Sequence, residues 1–246
     1  MTARRILLWR HGRTAWNLQR RFQGQADPPL DDVGMQQARA AAAMLASFAP
    51  FTIVSSDLRR ASGTAVALAE LLGQPVTLDP RLRERSLGHW EGLTRDEVGR
   101  LYPDELADWL AGREDCQPDS EPRSEVASRA LAALTDTVGD TAVLVTHSAT
   151  AIALTGELLR LPRALWRGVG PLANCHWSEL VCDDHGWRLR AHNVGPAGPV
   201  IPVPIGVELA EEMPPDAEAL DAGPPGNALG DTVGAPSAVD AGADAP

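Results

Sequence analysis

The sequence predicts an α/β fold in which a mostly parallel central sheet lies between two layers of helices. Two apolar runs, at residues 6–9 and 141–146, have the continuous hydrophobic pattern of strands that are buried on both faces. Stretches with helical periodicity alternate with these and with further strand candidates. After residue 198 the chain is rich in proline, glycine, alanine and acids. We therefore expect one domain over residues 1–198 and a disordered acidic tail over residues 199–246.

The remaining elements each have a start or stop signal. Helices are predicted at residues 36–48, 58–72, 94–110, 125–138 and 149–160, and strands at 52–54 and 75–78, with an edge hairpin at 176–181 and 187–191. The predicted helix caps are Asp31 or Asp32, the run Ser55-Ser56-Asp57, the capping box of Thr94 and Glu97, and Ser148. Residues 14–27 and 113–124 are predicted loops, and the second is a candidate lid.

Composition narrows the class of function. All 22 basic residues are arginine, which excludes Schiff-base lysine enzymes, lysine-dependent pyridoxal enzymes and phosphate-binding loops that need a lysine. Nine acids and no basic residue follow Arg190, so most of the net charge of −11 belongs to the tail. The arginines are scattered and form no basic stripe, and we therefore expect no nucleic-acid partner.

Cysteine usage and hydropathy predict a cytoplasmic protein. Cys116, Cys175 and Cys182 are odd in number and lack a CxxC spacing, which favours unpaired thiols in a reducing compartment over disulfides or a zinc site. The apolar run after Arg4 and Arg5 is too short for a signal peptide. Because no stretch is long enough to span a bilayer, we expect no membrane partner.

Arg10, His11 and Gly12 come directly after the first strand, at the edge where open α/β sheets bind ligands. The fixed charge of Arg10 argues against a metal ion on His11 and favours an anion, for which phosphate is the natural candidate. His147 follows the strand at 141–146 in the same way. One such histidine is more often structural, but two at strand ends favour a site. The other four histidines, His89, His176, His185 and His192, are interpreted as structural or exposed.

Other polar residues are candidate phosphate ligands, for which the alternative is an ordinary solvated side chain. Asn17, Arg20 and Arg21 lie in the loop after the first strand, where they either contact phosphate or form a solvated surface. Arg59 and Arg60 fall in the first turn of a helix, where a cation opposes the helix dipole and would share a phosphate with the backbone amides. Spacing does not decide which of the two faces inward.

The glutamates Glu84 and Glu91 lie in a stretch that contains several arginines and glycines. Glutamates in such surroundings are usually exposed ion pairs of little consequence. A catalytic role for either one therefore needs support beyond composition.

Four motifs in the same order resemble the histidine phosphatase superfamily, the phosphoglycerate-mutase-like group. They are Arg10-His11-Gly12, residues 56–61 (Ser-Asp-Leu-Arg-Arg-Ala), Leu82-Arg83-Glu84 and Thr146-His147. The resemblance covers residues 4–193 and implies the three-layer α/β/α fold of that group. It implies that His11 is the nucleophile, that Arg10, Arg60 and His147 clamp the phosphate, and that Glu84 is the acid and base. The arginine before the alanine matches the clamp, which selects Arg60 over Arg59.

The resemblance also implies the rest of the site and the activity. The expected phosphate- or substrate-binding residues are Arg10, Asn17, Gln23, Gly24, Arg60, His147 and Ser148. The implied activity is metal-independent hydrolysis of a phosphomonoester through a phosphohistidine, without a cofactor, on a small phosphorylated metabolite such as a sugar-linked phosphoglycerate, by a homodimer. The alternatives are a broad-specificity acid-type or protein phosphatase, a phosphoglycerate mutase, and a non-catalytic protein that binds a phosphorylated ligand.

Spacing and two departures bear on these alternatives. Mutases of the superfamily carry a long insertion between the acid and the second histidine, whereas His147 lies only 63 positions after Glu84, which resembles the phosphatase branch. Relatives usually have glycine at the position of Ser148. They often read Gly-Glu-Ser in the lid, where this chain has Ser120-Glu121-Pro122. Either departure is expected to affect substrate choice or activity.

Overall fold

The computed structural model describes residues 3–49, 51–113 and 119–196. Its six strands are β1 (Arg5–Arg10), β2 (Thr52–Ser55), β3 (Val76–Leu78), β4 (Thr141–Thr146), β5 (Trp177–Asp183) and β6 (Gly186–Val194). They form one sheet in the order β3-β2-β4-β1-β5-β6. The first four strands are parallel to one another, while β5 and β6 are antiparallel to their neighbours. The predicted sheet and its edge hairpin are thus confirmed.

Helices cover both faces of this sheet. They are α1 (Ala15–Gln19), α2 (Asp32–Leu45), α3 (Arg59–Leu72), α4 (Arg95–Leu101), α5 (Pro103–Leu110), α6 (Arg123–Asp136) and α7 (Ser148–Leu158). Leu7 and Trp9 of β1 pack in one apolar cluster with α2 and α3. Ile6 and Leu8, which alternate with them, pack in a second cluster with α6 and α7. This period-2 division of β1 confirms the predicted three layers.

A third apolar cluster lies beside the main core. Phe22, Leu87 and Trp90 pack there against Val98 of α4 and Trp109 of α5. The sequence predicted one helix across residues 94–110, and this was wrong: two helices meet at Tyr102, because Pro103 cannot continue the helix before it. The predicted capping box of Thr94 and Glu97 is confirmed, as is the Asp31 cap of α2, and a left-handed glycine, Gly73, ends α3.

Two other predicted caps were wrong, and residues 14–27 are not all loop. The first amide of α3, that of Arg59, donates to Asp27 Oδ1 at 2.6 Å, so its cap comes from a distant loop and not from residues 55–57. Ser148 is the first residue of α7, and its hydroxyl makes no capping hydrogen bond. Thr14 and Asn17 form a capping box that begins α1 inside the predicted loop.

Some predictions fall partly or wholly outside the described residues. These are Cys116, residues 114–118 of the predicted lid, and the tail from residue 199 onward. At the far end of that lid, Arg123 and Ser124 belong to α6, so the predicted loop was too long there. Among the described residues, no helix is long and apolar enough to cross a membrane.

Candidate active site

His11 and His147 lie side by side at the carboxyl edge of the sheet. Arg10 and Thr146 are paired in the parallel register of β1 and β4, so the residue after each strand emerges at the same level. The His11 amide donates to the Thr146 carbonyl at 3.0 Å, and the two imidazole centroids are 5.1 Å apart. Both side chains are fully buried. The sheet therefore brings together the two histidines that the sequence predicted at strand ends.

The backbone after His11 determines which ring nitrogen carries its proton. Nδ1 lies 2.7 Å from the Gly12 carbonyl, which can only accept, so Nδ1 is protonated and the lone pair is on Nε2. Burial and the charges of Arg60 and Arg10 hold the pKa of His11 well below its ordinary value, against the opposing effect of this hydrogen bond. His11 is thus a neutral imidazole at neutral pH, the form that a nucleophile needs.

Gly12 is fixed by a hydrogen bond to its amide and by close packing against Gly34. Its amide donates to Thr64 Oγ1 at 2.9 Å, and Thr64 Oγ1 donates in turn to the Arg60 carbonyl. A Cβ atom at Gly12 would lie 2.6 Å from the Gly34 carbonyl oxygen, so the start of α2 leaves no space for a side chain at this turn. Only glycine fits here because the neighbouring atom is backbone.

His147 is oriented by a serine from the next loop. Ser56 Oγ lies 2.9 Å from His147 Nε2 and accepts the Leu58 amide at 3.3 Å. The serine hydrogen is therefore available to Nε2, which places the imidazole proton on Nδ1. Burial lowers the pKa of His147 well below its ordinary value, with Arg60 and His11 adding to the shift. In the free protein His147 therefore offers an uncharged N–H to a ligand.

The cations at this edge are Arg10 and Arg60. Arg60 is fully buried and donates from Nη1 to the Ala26 carbonyl at 2.6 Å and from Nη2 to the Gly24 carbonyl at 2.7 Å. Burial lowers the pKa of Arg60 to about 10, so it stays charged at neutral pH. Arg10 Nη1 donates to the Leu172 carbonyl at 2.5 Å. Arg59 is exposed, which decides the choice that spacing left open in favour of Arg60.

Several buried polar atoms have no hydrogen-bond partner among the described residues. Four of them are Gln23 Nε2, Arg60 Nε, His147 Nδ1 and Ser148 Oγ. Leaving such a group unsatisfied costs about 1–3 kcal/mol, so a fold keeps it only for a reason. All four atoms can donate, and all four belong to residues that the sequence predicted to bind phosphate. Oxygen atoms of a bound phosphate are the chemical complement of such a set.

Two other predicted residues, Asn17 and Gly24, are held near these groups by neighbouring side chains. Asn17 Oδ1 accepts from the Thr14 amide at 3.0 Å, so only its NH2 group is available to a ligand. Asn174, which the sequence did not predict, donates from Nδ2 to the His11 carbonyl at 3.2 Å and approaches Asn17 Oδ1 at 3.4 Å. The backbone after Gly24 is held by Glu91, which accepts from the amides of residues 25 and 26. Glu91 thus supports the loop that binds Arg60.

Glu84 is buried and caps α7. Its Oε1 accepts from the amides of Arg85 (2.9 Å) and Thr150 (3.1 Å). Within the described part of the chain, its Oε2 accepts only from the Ala149 amide, at 3.2 Å. The carboxylate takes the place that the sequence assigned to Ser148, and an anion is favourable there because of the helix dipole. Oε2 is the oxygen more available for proton exchange with a ligand.

The structure does not bring the other candidates to the site. Arg20 is exposed and ends α1, and Arg21 Nη1 donates to the Gly92 carbonyl at 2.6 Å and to Glu97 at 3.0 Å. His89 lies between two carboxylates, with Nδ1 2.6 Å from Asp119 and Nε2 2.9 Å from Glu105. Within the described ranges, no group of three or more His, Cys, Asp or Glu side chains is arranged to hold a metal ion.

Comparison with known proteins identifies relatives of the whole described domain. The profile of the histidine phosphatase superfamily (branch 1) matches residues 6–195. Glucosyl-3-phosphoglycerate phosphatase of Mycolicibacterium vanbaalenii is 41% identical over 192 residues, which are 74% of this chain and 85% of that protein. A probable phosphoglycerate mutase of an Enterobacter species is 35% identical over 209 residues, covering 79% of this chain and 93% of that protein.

A solved structure agrees with the sequence relatives. The mycobacterial glucosyl-3-phosphoglycerate phosphatase in complex with VO3 superposes with a TM-score of 0.72 at 38% identity, over 78% of this chain and 100% of that one. The family profile spans both histidine-bearing strand ends, the Arg60 helix and the Glu84 loop. The chain therefore belongs to the histidine phosphatase superfamily (branch 1) and is a phosphatase.

Proposed function

We propose that this protein hydrolyses glucosyl-3-phosphoglycerate through a phosphohistidine on His11. The observation that carries the chemistry is the neutral His11, with its Nε2 lone pair beside the buried Arg60 and His147. The relatives that bear this substrate's name are the basis for the substrate. The glycerate carboxylate and the sugar distinguish it from simpler phosphomonoesters.

In the first step, the Nε2 lone pair of His11 attacks phosphorus as the bond to the leaving oxygen breaks. Arg10, Arg60, Gln23, His147 and Ser148 donate to the phosphoryl oxygens, and the two arginines balance their charge. Glu84, protonated on Oε2, gives its proton to the leaving oxygen, which departs as the alcohol. The two arginines supply the positive charge for this step, and Glu84 supplies the proton.

In the second step, water replaces the alcohol. The Glu84 carboxylate takes a proton from that water as its oxygen attacks phosphorus, and the bond between phosphorus and Nε2 breaks. Inorganic phosphate leaves, while His11 and protonated Glu84 are regenerated. The two-step route divides one difficult displacement into two easier ones.

The decisive experiment measures phosphate release in EDTA from glucosyl-3-phosphoglycerate, 3-phosphoglycerate, a phosphopeptide and p-nitrophenyl phosphate. We expect at least about a tenfold preference in kcat/KM for the glucosylated compound. His11→Ala abolishes release and acid-labile phosphorylation of the protein, while the exposed His185→Ala is the matched control. Equal slow rates on all four compounds contradict the proposed substrate. Wild-type activity in His11→Ala contradicts the assignment of His11 as the nucleophile.

A phosphoglycerate mutase is the second candidate, because several relatives are named as probable phosphoglycerate mutases. The short spacing between Glu84 and His147 favours hydrolysis over return of the phosphoryl group. Conversion of 3-phosphoglycerate to 2-phosphoglycerate faster than phosphate release would establish the mutase instead.

We also propose a cytoplasmic homodimer with a catalytic domain over residues 1–198 and a disordered tail over residues 199–246. Cys175 and Cys182 are free thiols, in keeping with a reducing compartment. Light scattering after size exclusion measures the assembly, for which a monomer mass contradicts the dimer. Limited proteolysis tests the boundary, because cleavage should begin in the tail.

A further inference from the structure

Arg129 of α6 uses all five of its N–H groups within one small region. Nε donates to Glu121 Oε1 at 2.6 Å, and Nη2 donates to Glu121 Oε2 at 2.9 Å. The second Nη2 hydrogen goes to the Glu84 carbonyl at 3.0 Å. Nη1 donates to the carbonyls of Arg81 at 2.7 Å and Arg83 at 2.6 Å. One guanidinium thus binds a carboxylate and three carbonyls of the segment that leads into Glu84.

The same segment is held from its other side. Thr150 Oγ1 of α7 donates to the Arg83 carbonyl at 2.8 Å, and Thr146 Oγ1 donates to the Leu82 carbonyl at 2.8 Å. The Glu84 main chain therefore lies between α6 and α7. Its carboxylate hydrogen bonds to α7 are 3.1–3.2 Å long, so a shift of the main chain by a few tenths of an ångström would change where Oε2 points.

Glu121 connects this arrangement to the described end of the predicted lid. Its amide donates to the Ser86 carbonyl at 2.9 Å, and its carbonyl accepts from Arg85 Nε at 2.7 Å. The main chain of Glu121 thus contacts the residues that follow Glu84, while its side chain anchors Arg129. The segments before and after Glu84 are fixed by one connected network.

We propose that Arg129, anchored by Glu121, is a positioning residue for Glu84, and this rests on the acid role given to Glu84 under the proposed function. Lysine cannot replace it, because a single ammonium has three donors on one atom and cannot span a carboxylate and three carbonyls. Loss of the fork lets the Glu84 loop move while phosphate binding and His11 remain in place.

The test uses leaving groups that differ in their need for a proton. Arg129→Lys is compared with wild type on p-nitrophenyl phosphate, whose aryl leaving group needs little protonation, and on the alkyl phosphate that wild type hydrolyses fastest. We expect kcat/KM on the alkyl phosphate to fall about 30-fold and kcat/KM on the aryl phosphate less than about threefold. The comparison uses kcat/KM because it reports the first step, whereas kcat also contains the hydrolysis of the phosphohistidine, which is the same for both substrates. Equal losses on both substrates overturn the proposal.

Two matched variants control for stability. Arg5→Lys alters another partly buried arginine–glutamate pair, in which Arg5 Nε lies 2.9 Å from Glu179, and it leaves the ratio of alkyl to aryl rates unchanged. Glu121→Gln keeps the side-chain size but weakens the anchor. It shifts the ratio in the same direction as Arg129→Lys, and this variant decides the question if Arg129→Lys does not fold.

A double-mutant cycle separates this inference from the proposed function. In a Glu84→Gln background, Arg129→Lys changes the ratio of alkyl to aryl rates by less than about twofold, because the residue through which it acts is already disabled. If Glu84→Gln is selective for alkyl phosphates and Arg129→Lys is not, the positioning role alone is overturned. If Glu84→Gln slows both substrates equally, the acid role falls, and the positioning role with it.

Discussion

Ser56 Oγ lies 2.9 Å from Nε2 of His147, and the same oxygen accepts the amide hydrogen of Leu58. The hydroxyl hydrogen is then directed to Nε2, so the imidazole proton is on Nδ1, the atom that has no hydrogen-bond partner among the described residues. Ser56, which need not contact the phosphate, thus determines that His147 presents a protonated Nδ1 to a ligand.

Ser56→Ala is expected to lower kcat about tenfold, because one buried hydrogen bond of roughly 1–1.5 kcal/mol holds the His147 tautomer. Ser62→Ala, in α3, removes a hydroxyl that bonds only to carbonyls of its own helix and serves as the control. Nitrogen chemical shifts of His147 report the tautomer directly. An unchanged tautomer in Ser56→Ala contradicts the assignment, whatever happens to the rate.

Arg60→Lys is expected to lower kcat/KM by at least about 100-fold, while Arg59→Lys leaves it within about twofold. The two arginines are adjacent, but Arg60 is fully buried and bonds to the Gly24 and Ala26 carbonyls, whereas Arg59 is exposed. Steady-state kinetics with p-nitrophenyl phosphate measure both variants. Similar losses in the two variants would contradict the assignment of the phosphate clamp to Arg60 and not to Arg59.

The lowered pKa of His11, caused by burial and by Arg60 and Arg10, predicts that this imidazole stays neutral well below its ordinary titration range. Because the unfolded chain binds this proton near pH 6.5 and the folded chain does not, stability is expected to fall as the pH drops below about 6.5. NMR titration of the histidine Cε1–H signals tests the first statement. A His11 transition centred near pH 6.5 contradicts it.

For His89 the predicted pH dependence of stability is opposite to that of His11. Burial would lower the pKa of His89, but its hydrogen bonds to Asp119 and Glu105 outweigh this and raise the pKa above its ordinary value. The stability that it contributes is fully present below the unfolded pKa and is lost as pH rises through the raised one. His89→Gln should therefore lower Tm by about 2–4 °C at pH 6 and much less at pH 9. A pH-independent difference would indicate packing alone.

Truncation after residue 198 is expected to leave kcat/KM unchanged and to shift Tm by less than about 2 °C. The reason is compositional, because residues 199–246 carry nine acids and little hydrophobic periodicity. Calorimetry and phosphate release on the shortened chain are the measurements. A large loss of either would show that the tail contributes to the folded domain.

What the sequence predicted well depended on local patterns. The apolar runs before His11 and His147 are strands, and the parallel order of β1 and β4 places both histidines at one edge, as the prediction required. Helices with a capping box or a terminal glycine, such as those at Thr94 and Gly73, begin or end where their signals lie. Each of these signals acts within a few residues, so one sequence contains it completely.

What the sequence could not predict depended on partners far along the chain. The cap of α3 is Asp27 and that of α7 is Glu84, and neither is near its helix in sequence. Spacing left Arg59 and Arg60 equivalent until the carbonyls of the loop after Gln23 were in place around Arg60. Arg129 gave no signal at all, because an arginine on an amphipathic helix is ordinarily solvated.

The contact between Gly12 and Gly34 has a mechanical consequence. In the proposed mechanism, the His11 ring becomes cationic when Nε2 bonds to phosphorus, and its Nδ1–H then binds the Gly12 carbonyl more strongly. That peptide cannot turn toward the ring, because Gly12 lies against the backbone of Gly34 and its amide is bonded to Thr64. The N-terminal turn of α2 thus limits movement of the Gly12 carbonyl, and with it of the imidazole, through both steps of the proposed reaction.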